Sequence, residues 1–361
     1  MTASAQERVT SPAEERPAVF ITRRLTGPAT DRLRAVADVD VWDRDGHLPP
    51  AELRQRACTA DALLTMSDDR VDTELLDACP KLRVVSNMAV GVDNFDLAEL
   101  TRRGIPAGNT PGVLTEATAD LTFAILLACA RRLLEGRDAL MADRWNRWDP
   151  DFCMGLELSG ATLGVVGTGK IGQAVIRRAR AFNMRLLAWS RVRRPLAEVR
   201  YVSLDQLLHA SDIVTLHVAL TGETRHLIGE RELELMKPSA ILVNTARGAI
   251  VDQKALTAAL ASGQLAAAGL DVFEKEPVPA DDPLLAQKNC LPIPHIGSAT
   301  YATRSAMASL AADNLMAGLS GNRLPNCVNP EVYDRARLAR VSALRKRPRG
   351  SWRAPVPPSW R

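Results

Sequence analysis

The chain has 361 residues, 46% hydrophobic and 24% charged, the balance of a soluble globular protein long enough for two ordinary domains. Its longest nearly apolar run, LTFAILLACA at 121–130, is about half a membrane span, which argues against a membrane protein. Of the net charge of +4, residues 331–361 supply +7, with nine Lys or Arg against two Asp or Glu; the remaining −3 argues against a nucleic-acid surface on the body.

Residues 1–16 are polar, contain acids and lack the apolar segment of a signal peptide, so a disordered N-terminus is expected. From Ala18 short apolar runs alternate with helical patterns. AVFIT (18–22) precedes a helix near 28–37, and VDVW (39–42) precedes LRQRA near 50–58. DALLTM (61–66), LLDAC (75–79) and LRVVSNMA (82–89) repeat the alternation, which predicts an open, mostly parallel α/β sheet. A longer helix is predicted from Thr115, read as its N-cap, to Leu134; apolar around most of its circumference, it must be buried between layers, domains or subunits. A second α/β series runs from Ala161 to about Ile296, and 300–319 reads as a final amphipathic helix. RPRGSWRAPVPPSW at the end reads as disordered. The six cysteines, at 58, 79, 129, 153, 290 and 327, show no CxxC pair and no Cys/His ligand spacing. No metal or disulfide framework is expected, and a reducing cytoplasm fits best.

ATLGVVGTGKIGQAVIRRARAF (161–182) carries the first chemical motif. TLGVV supplies a buried strand, and Gly167, Thr168, Gly169, Lys170, Ile171 and Gly172 form GxGxxG at the start of a helix. The first glycine permits the tight turn, the second lets a pyrophosphate approach the backbone, and the third allows close helix–strand packing. Between a clear strand and a clear helix, this predicts a dinucleotide site. The next strand, MRLLAWS (184–190), ends where an NAD site usually offers a carboxylate to the ribose. Here stand Ser190, Arg191, Arg193 and Arg194, with no acid until Glu198. A 2′-phosphate would accept hydrogen bonds from the serine and charge-assisted bonds from a guanidinium, Arg191 first. NADP(H) is therefore expected to be preferred, with NAD(H) possible.

Three further segments place polar residues at strand ends, where open α/β sheets bind ligands. They are ILVNTARGAIVD (241–252) with Arg247, AAAGLDVFEKEP (266–277) with Asp271, Glu274 and Glu276, and LPIPHIGSAT (291–300) with His295.

With VGVDNFD (90–96) and NTPGVLTEATAD (109–120), these segments resemble the D-isomer-specific 2-hydroxyacid dehydrogenase family, most closely its glyoxylate/hydroxypyruvate reductases, over about 18–330. The resemblance implies an α/β protein of two Rossmann-like or flavodoxin-like doubly wound parallel-sheet domains with an active-site cleft between them. The substrate domain would be 17–109 plus 300–330, the dinucleotide domain 110–299, and 331–361 a basic tail. It implies a homodimer acting on a small 2-oxoacid or 2-hydroxyacid, with NAD(P)H as reductant. Arg247 would clamp the substrate carboxylate, His295 would be the acid/base, and Glu276 its paired carboxylate. Thr245, Asp271 and Gly297 would face the cofactor, and the N–H groups of Val90 and Gly91 would cradle the substrate carboxylate, with packing alone as the other reading. Met66 either lines the substrate pocket or belongs to the core. Trp145 and Trp148 resemble tryptophans near a dimer interface, where one of them, taken as Trp148, would reach the partner's substrate pocket, and the helix 115–134 is expected to contribute to that interface. Glu274 reads as a solvated neighbour, and His47, His209, His217 and His226 read as structural or surface residues.

Two features depart from the family pattern. The segment after Arg194, PLAEVRYVSLDQLLHAS, is several residues short, and Pro292 and Pro294 flank Ile293 just before His295. Another D-2-hydroxyacid dehydrogenase, a phosphite or formate dehydrogenase, and a dinucleotide-sensing corepressor-like binding protein are the alternative readings.

Overall fold

The computed structural model describes residues 16–46 and 48–334. The expected disordered N-terminus up to residue 15, His47, and residues 335–361 of the basic tail lie outside the described residues. Contacts divide the chain into two units. One comprises the chain up to Met88, Asn94–Asn109 and the chain from Ala308; the other comprises Ala89–Asp93 and Thr110–Met307. Relative to the expected bounds, 89–93 and 300–307 group with the second unit, and the last helix runs unbroken from there to Leu319.

The first unit alternates β1 (Ala18–Ile21), α1 (Ala29–Arg34), β2 (Asp38–Val41), α2 (Pro50–Ala57), β3 (Ala62–Thr65), α3 (Thr73–Ala78), β4 (Val84–Asn87), α4 (Leu97–Arg103) and β5 (Ala107–Gly108). Its strands lie in the order β2-β1-β3-β4-β5, all parallel. A parallel sheet is covered on both faces, so its inner strands must be apolar throughout, and every residue of β3 and β4 is buried. Asp72 and Asp96 start α3 and α4 by accepting the N–H groups of Leu75 and Glu99. The described residues extend past Pro330 to Asp334, into the segment expected as tail. Val332 is buried there, and the Tyr333 hydroxyl accepts the Leu324 N–H at 3.0 Å.

The second unit holds α5 (Thr115–Ala130), α6 (Leu133–Met141), β6 (Thr162–Val166), α7 (Lys170–Ala181), β7 (Arg185–Trp189), β8 (Val199–Tyr201), α8 (Leu204–Ala210), β9 (Ile213–Leu216), α9 (Glu230–Leu235), β10 (Ile241–Asn244), α10 (Gln253–Ser262), β11 (Ala267–Leu270) and β12 (Cys290–Pro292). The final helix α11 (Tyr301–Leu319) begins here, and its Ala308–Leu319 part belongs to the first unit. The sheet is parallel throughout, in the order β12-β11-β10-β9-β6-β7-β8, and reverses between β6 and β9. Side chains alternate across it. Leu163, Val165, Ile213, Ile241 and Val243 face α5 and α7. Val214, Leu216 and Leu242 face the layer of α8, α9 and α10.

Two expectations about the long helix need correction. Thr115 is its first turn rather than its cap, which falls on Leu114, and the helix stops at Ala130 rather than Leu134. No Gly or Pro marks that stop. Arg132 takes a left-handed φ of 50°, and the Ala130 carbonyl accepts the Leu156 N–H at 2.7 Å, a tertiary partner that local sequence does not reveal. α5 packs Ala119, Phe123, Ile125, Leu126 and Ala130 within its own unit, against α7, β10 and β11, and leaves Leu121 and Leu127 partly buried and Ala124 exposed. Large apolar side chains cluster in the exposed stretch that follows it: Leu133, Leu134, Leu140, Met141, Trp145, Trp148, Phe152 and Met154. Among the described residues no helix is long and apolar enough to cross a membrane.

Candidate active site

The glycine-rich turn joins β6 to α7. Gly167 has φ 101°, and a Cβ there would stand 2.6 Å from the His217 carbonyl oxygen; a Cβ on Gly172 would stand 2.0 Å from the Gly167 oxygen. Both positions therefore require glycine. Nothing lies within 4 Å of where a Gly169 side chain would begin. Gly169 caps α7, so the open space borders the unpaired N–H groups of a helix N-terminus, which suits a phosphate. The residues present thus fit a dinucleotide. Lys170 opens α7, and Ile171 packs partly into the core beside it.

Beyond β7 the three arginines are not equivalent. Arg191 Nη1 donates to Glu223 Oε2 at 2.8 Å, Arg193 lies over the Tyr201 ring at 5.9 Å, and the Arg194 N–H donates to the Tyr201 hydroxyl at 3.1 Å. That hydroxyl donates in turn to Thr168 Oγ1 at 3.3 Å, and Thr168 donates to the Val192 carbonyl at 3.4 Å. The short segment after Arg194 forms the edge strand β8, whose last residue ties the arginine loop to the glycine turn. Ser190, directly after β7, is half-buried. Tyr201 and Glu223 were not read as site residues from sequence. Neither lies in a motif, and only the pairing of β8 with β7 and the turn after β9 bring them here.

Arg247 follows β10 in a turn built by Asn244, whose side chain accepts the Ala246 N–H at 3.0 Å and donates to the Arg247 carbonyl at 2.9 Å. Its Nε donates to Asp93 Oδ1 at 3.0 Å and its Nη1 to the Ala246 carbonyl at 2.9 Å, which turns Nη2 toward Gly91, where a Cβ would stand 2.0 Å away. Val90 and Gly91 thus share this neighbourhood. Asp93, unremarked in VGVDNFD, aims the guanidinium.

His295 stands after β12 with a left-handed φ of 50°, a costly conformation for a side-chain-bearing residue. The flanking prolines are accommodated because β12 is an edge strand. Ile293 N–H donates to the Leu270 carbonyl at 2.8 Å and His295 N–H to the Asp271 carbonyl at 2.9 Å, so the alternate prolines face away from β11. Asp271 is 1% exposed and accepts the N–H groups of Ile296 and Gly297 at 2.6 and 2.8 Å, bracing this turn. Burial pushes its carboxyl above the ordinary carboxylate range against those bonds.

The His295 Nδ1 lies 2.6 Å from Glu276 Oε2, and Glu276 Oε1 accepts the Phe273 N–H at 2.9 Å. The hydrogen bond to Glu276 raises the His295 pKa, against burial and the nearby Arg247 charge. Burial pushes the Glu276 carboxyl up, but its bond to His295 prevails and holds it low. The pair therefore favours an imidazolium–carboxylate whose Nε2 proton remains to be given away. Glu274 is exposed, as expected, and also lies 2.5 Å from His226 Nε2 and receives the Gln253 N–H at 3.5 Å.

Arg247, Glu276, His295 and Asp271 are thus brought together, with Asp93 and Gly91 beside Arg247. Thr245 is buried, its hydroxyl 2.9 Å from Thr122. Met66 lies in the first unit, partly buried against its core, its N–H on Asp69 at 2.8 Å. Trp148 is 78% exposed and stands apart from the triad's hydrogen bonds, with Trp145 exposed nearby in sequence.

Comparison with known proteins matches residues 123–297 to the model of the D-isomer specific 2-hydroxyacid dehydrogenase NAD binding domain. A glyoxylate reductase of Korarchaeum cryptofilum is 48% identical over 324 residues, 88% of this chain and 97% of the relative. A solved protein of Thermus thermophilus superposes with a TM-score of 0.82 at 48% identity, over 86% of this chain and 99% of that one. An NADPH-dependent glyoxylate/hydroxypyruvate reductase of Sinorhizobium meliloti, solved with NADP and malonate, gives 0.78 at 33% identity, over 87% of this chain and 97% of that one.

Proposed function

Because the chain belongs to the D-isomer-specific 2-hydroxyacid dehydrogenase family, we propose that this oxidoreductase reduces glyoxylate, and hydroxypyruvate as a second substrate, to the 2-hydroxyacid, with NADPH preferred over NADH. The observation that carries the reading is the His295–Glu276 pair at 2.6 Å beside an arginine aimed by Asp93.

A 2-oxoacid is an anion, and the Arg247 guanidinium pairs with its carboxylate while Val90 and Gly91 N–H groups complete the cradle. When bound, the reduced nicotinamide supplies hydride to the carbonyl carbon. Charge then develops on the carbonyl oxygen, which Arg247 stabilises and His295 neutralises by giving up its Nε2 proton. Glu276 stays ionised and holds the ring in register. Gly167–Gly172 and the start of α7 hold the pyrophosphate, Ser190, Arg191, Arg193 and Arg194 the 2′-phosphate, and Thr245, Asp271 and Gly297 the nicotinamide end. Met66 and Trp148 are assigned to the substrate pocket.

NADPH preference is supported by the arginine cluster and by the Sinorhizobium relative's NADPH dependence. Initial rates with glyoxylate test it. Wild type should favour NADPH, and Arg191→Asp should lower the NADPH/NADH ratio of kcat/KM by roughly 10–100-fold through loss of a charge-assisted bond. An unchanged ratio would remove Arg191 from the 2′-phosphate site. Absence of turnover with either nucleotide would favour a dinucleotide-sensing binding protein.

The assembly is a homodimer joined through the apolar side chains of 133–154, since a monomer seldom leaves so many exposed together. Light scattering should give a dimer mass for wild type and a monomer mass for Leu140→Glu/Met141→Glu; a dimeric variant would exclude this surface.

A further inference from the structure

We propose that Glu223 sets how strongly NADPH is preferred, by competing with the 2′-phosphate for Arg191. The inference rests on the assignment of Arg191 to that phosphate. Sequence order hides the pairing, because the acid nearest the arginines along the chain is Glu198, which instead lies 3.4 Å from Arg180. The fold brings a different carboxylate. Glu223 Oε2 accepts from Arg191 Nη1 at 2.8 Å, with both side chains mostly in solvent, 73% and 65% exposed.

The two loops leave the carboxyl ends of β7 and β9, the strands on either side of β6 and its glycine turn. Each is held in place. The arginine loop is tied to Tyr201 and Thr168, as described, and the turn carrying Glu223 is closed by Thr221 N–H on Thr224 Oγ1 at 2.8 Å and by Thr224 Oγ1 on the Ala219 carbonyl at 2.6 Å. Both loops are therefore held where the two side chains can meet.

A guanidinium can offer the same N–H edge to one anion at a time. A 2′-phosphate carries more charge than a carboxylate and displaces it, because an exposed ion pair is weak. The phosphate therefore gains less from Arg191 than it would from an unpaired guanidinium, by whatever the pair with Glu223 costs to break. The discriminating acid that dinucleotide sites usually place at the end of the second strand is here supplied from the loop after β9.

Glu223→Gln keeps the side chain's shape and removes its charge. The NADPH/NADH ratio of kcat/KM should rise by about two- to fivefold. The gain should shrink in about 0.5 M salt, where exposed charges are screened. In an Arg191→Gln background the same change should give no gain, since the competition needs the arginine. If Arg191→Gln lowers the ratio but Glu223→Gln leaves it at the wild-type value, the role of Glu223 is overturned and the phosphate site stands. A gain that persists without Arg191 also overturns it. If Arg191→Gln itself leaves the ratio unchanged, the phosphate assignment fails first and this inference with it.

Discussion

Replacing His295 with alanine should lower kcat for glyoxylate reduction by about 10²–10⁴-fold, the usual worth of a positioned proton donor. The nucleotide should still bind, because the glycine turn and the arginine loop do not involve the imidazole. Glu276→Gln should be milder at low pH and should change the pH profile. In the wild type the hydrogen bond and charge of Glu276 raise the His295 pKa above the ordinary imidazole value, so on the proposed mechanism the rate should fall only above that raised value. Without the carboxylate, burial and the Arg247 charge remain, and both lower it. The alkaline limb should therefore move to lower pH. Retained activity in His295→Ala would sink the mechanism, and an alkaline limb unmoved in Glu276→Gln would assign that limb to another group.

Arg247→Ala should cost roughly 10²–10³-fold in kcat/KM, since on the proposed mechanism it removes both the substrate's anion clamp and a donor to the developing oxyanion. Lysine should not restore it, because a point charge cannot reproduce the planar fork. Asp93→Asn should act through Arg247 and appear mainly as a higher KM, about tenfold, with the kcat pH profile unchanged. Such a split separates aiming from chemistry. Normal KM and kcat in Arg247→Ala would remove the residue from the site.

What the sequence determined by itself was whatever rests on local pattern. Alternating apolar and helical runs specify a parallel α/β protein because buried strands and amphipathic helices differ in period. GTGKIG between TLGVV and its helix specifies the turn because only glycine fits those two backbones. Arg247, Asp271 and His295 could be picked out because each follows an apolar strand in a recognisable segment. Tertiary structure decided the rest, because it depends on partners distant in the chain. The stop at Ala130 comes from Leu156, the tolerance of Pro292 and Pro294 from the edge position of β12, and the link of Glu274 to His226 from a loop packed across the sheet's end. Asp93, Tyr201 and Glu223 belong to this second group. Each is an ordinary polar residue in sequence, and takes its role from what the fold sets within 3.1 Å of it: a guanidinium, a backbone N–H, and a second guanidinium.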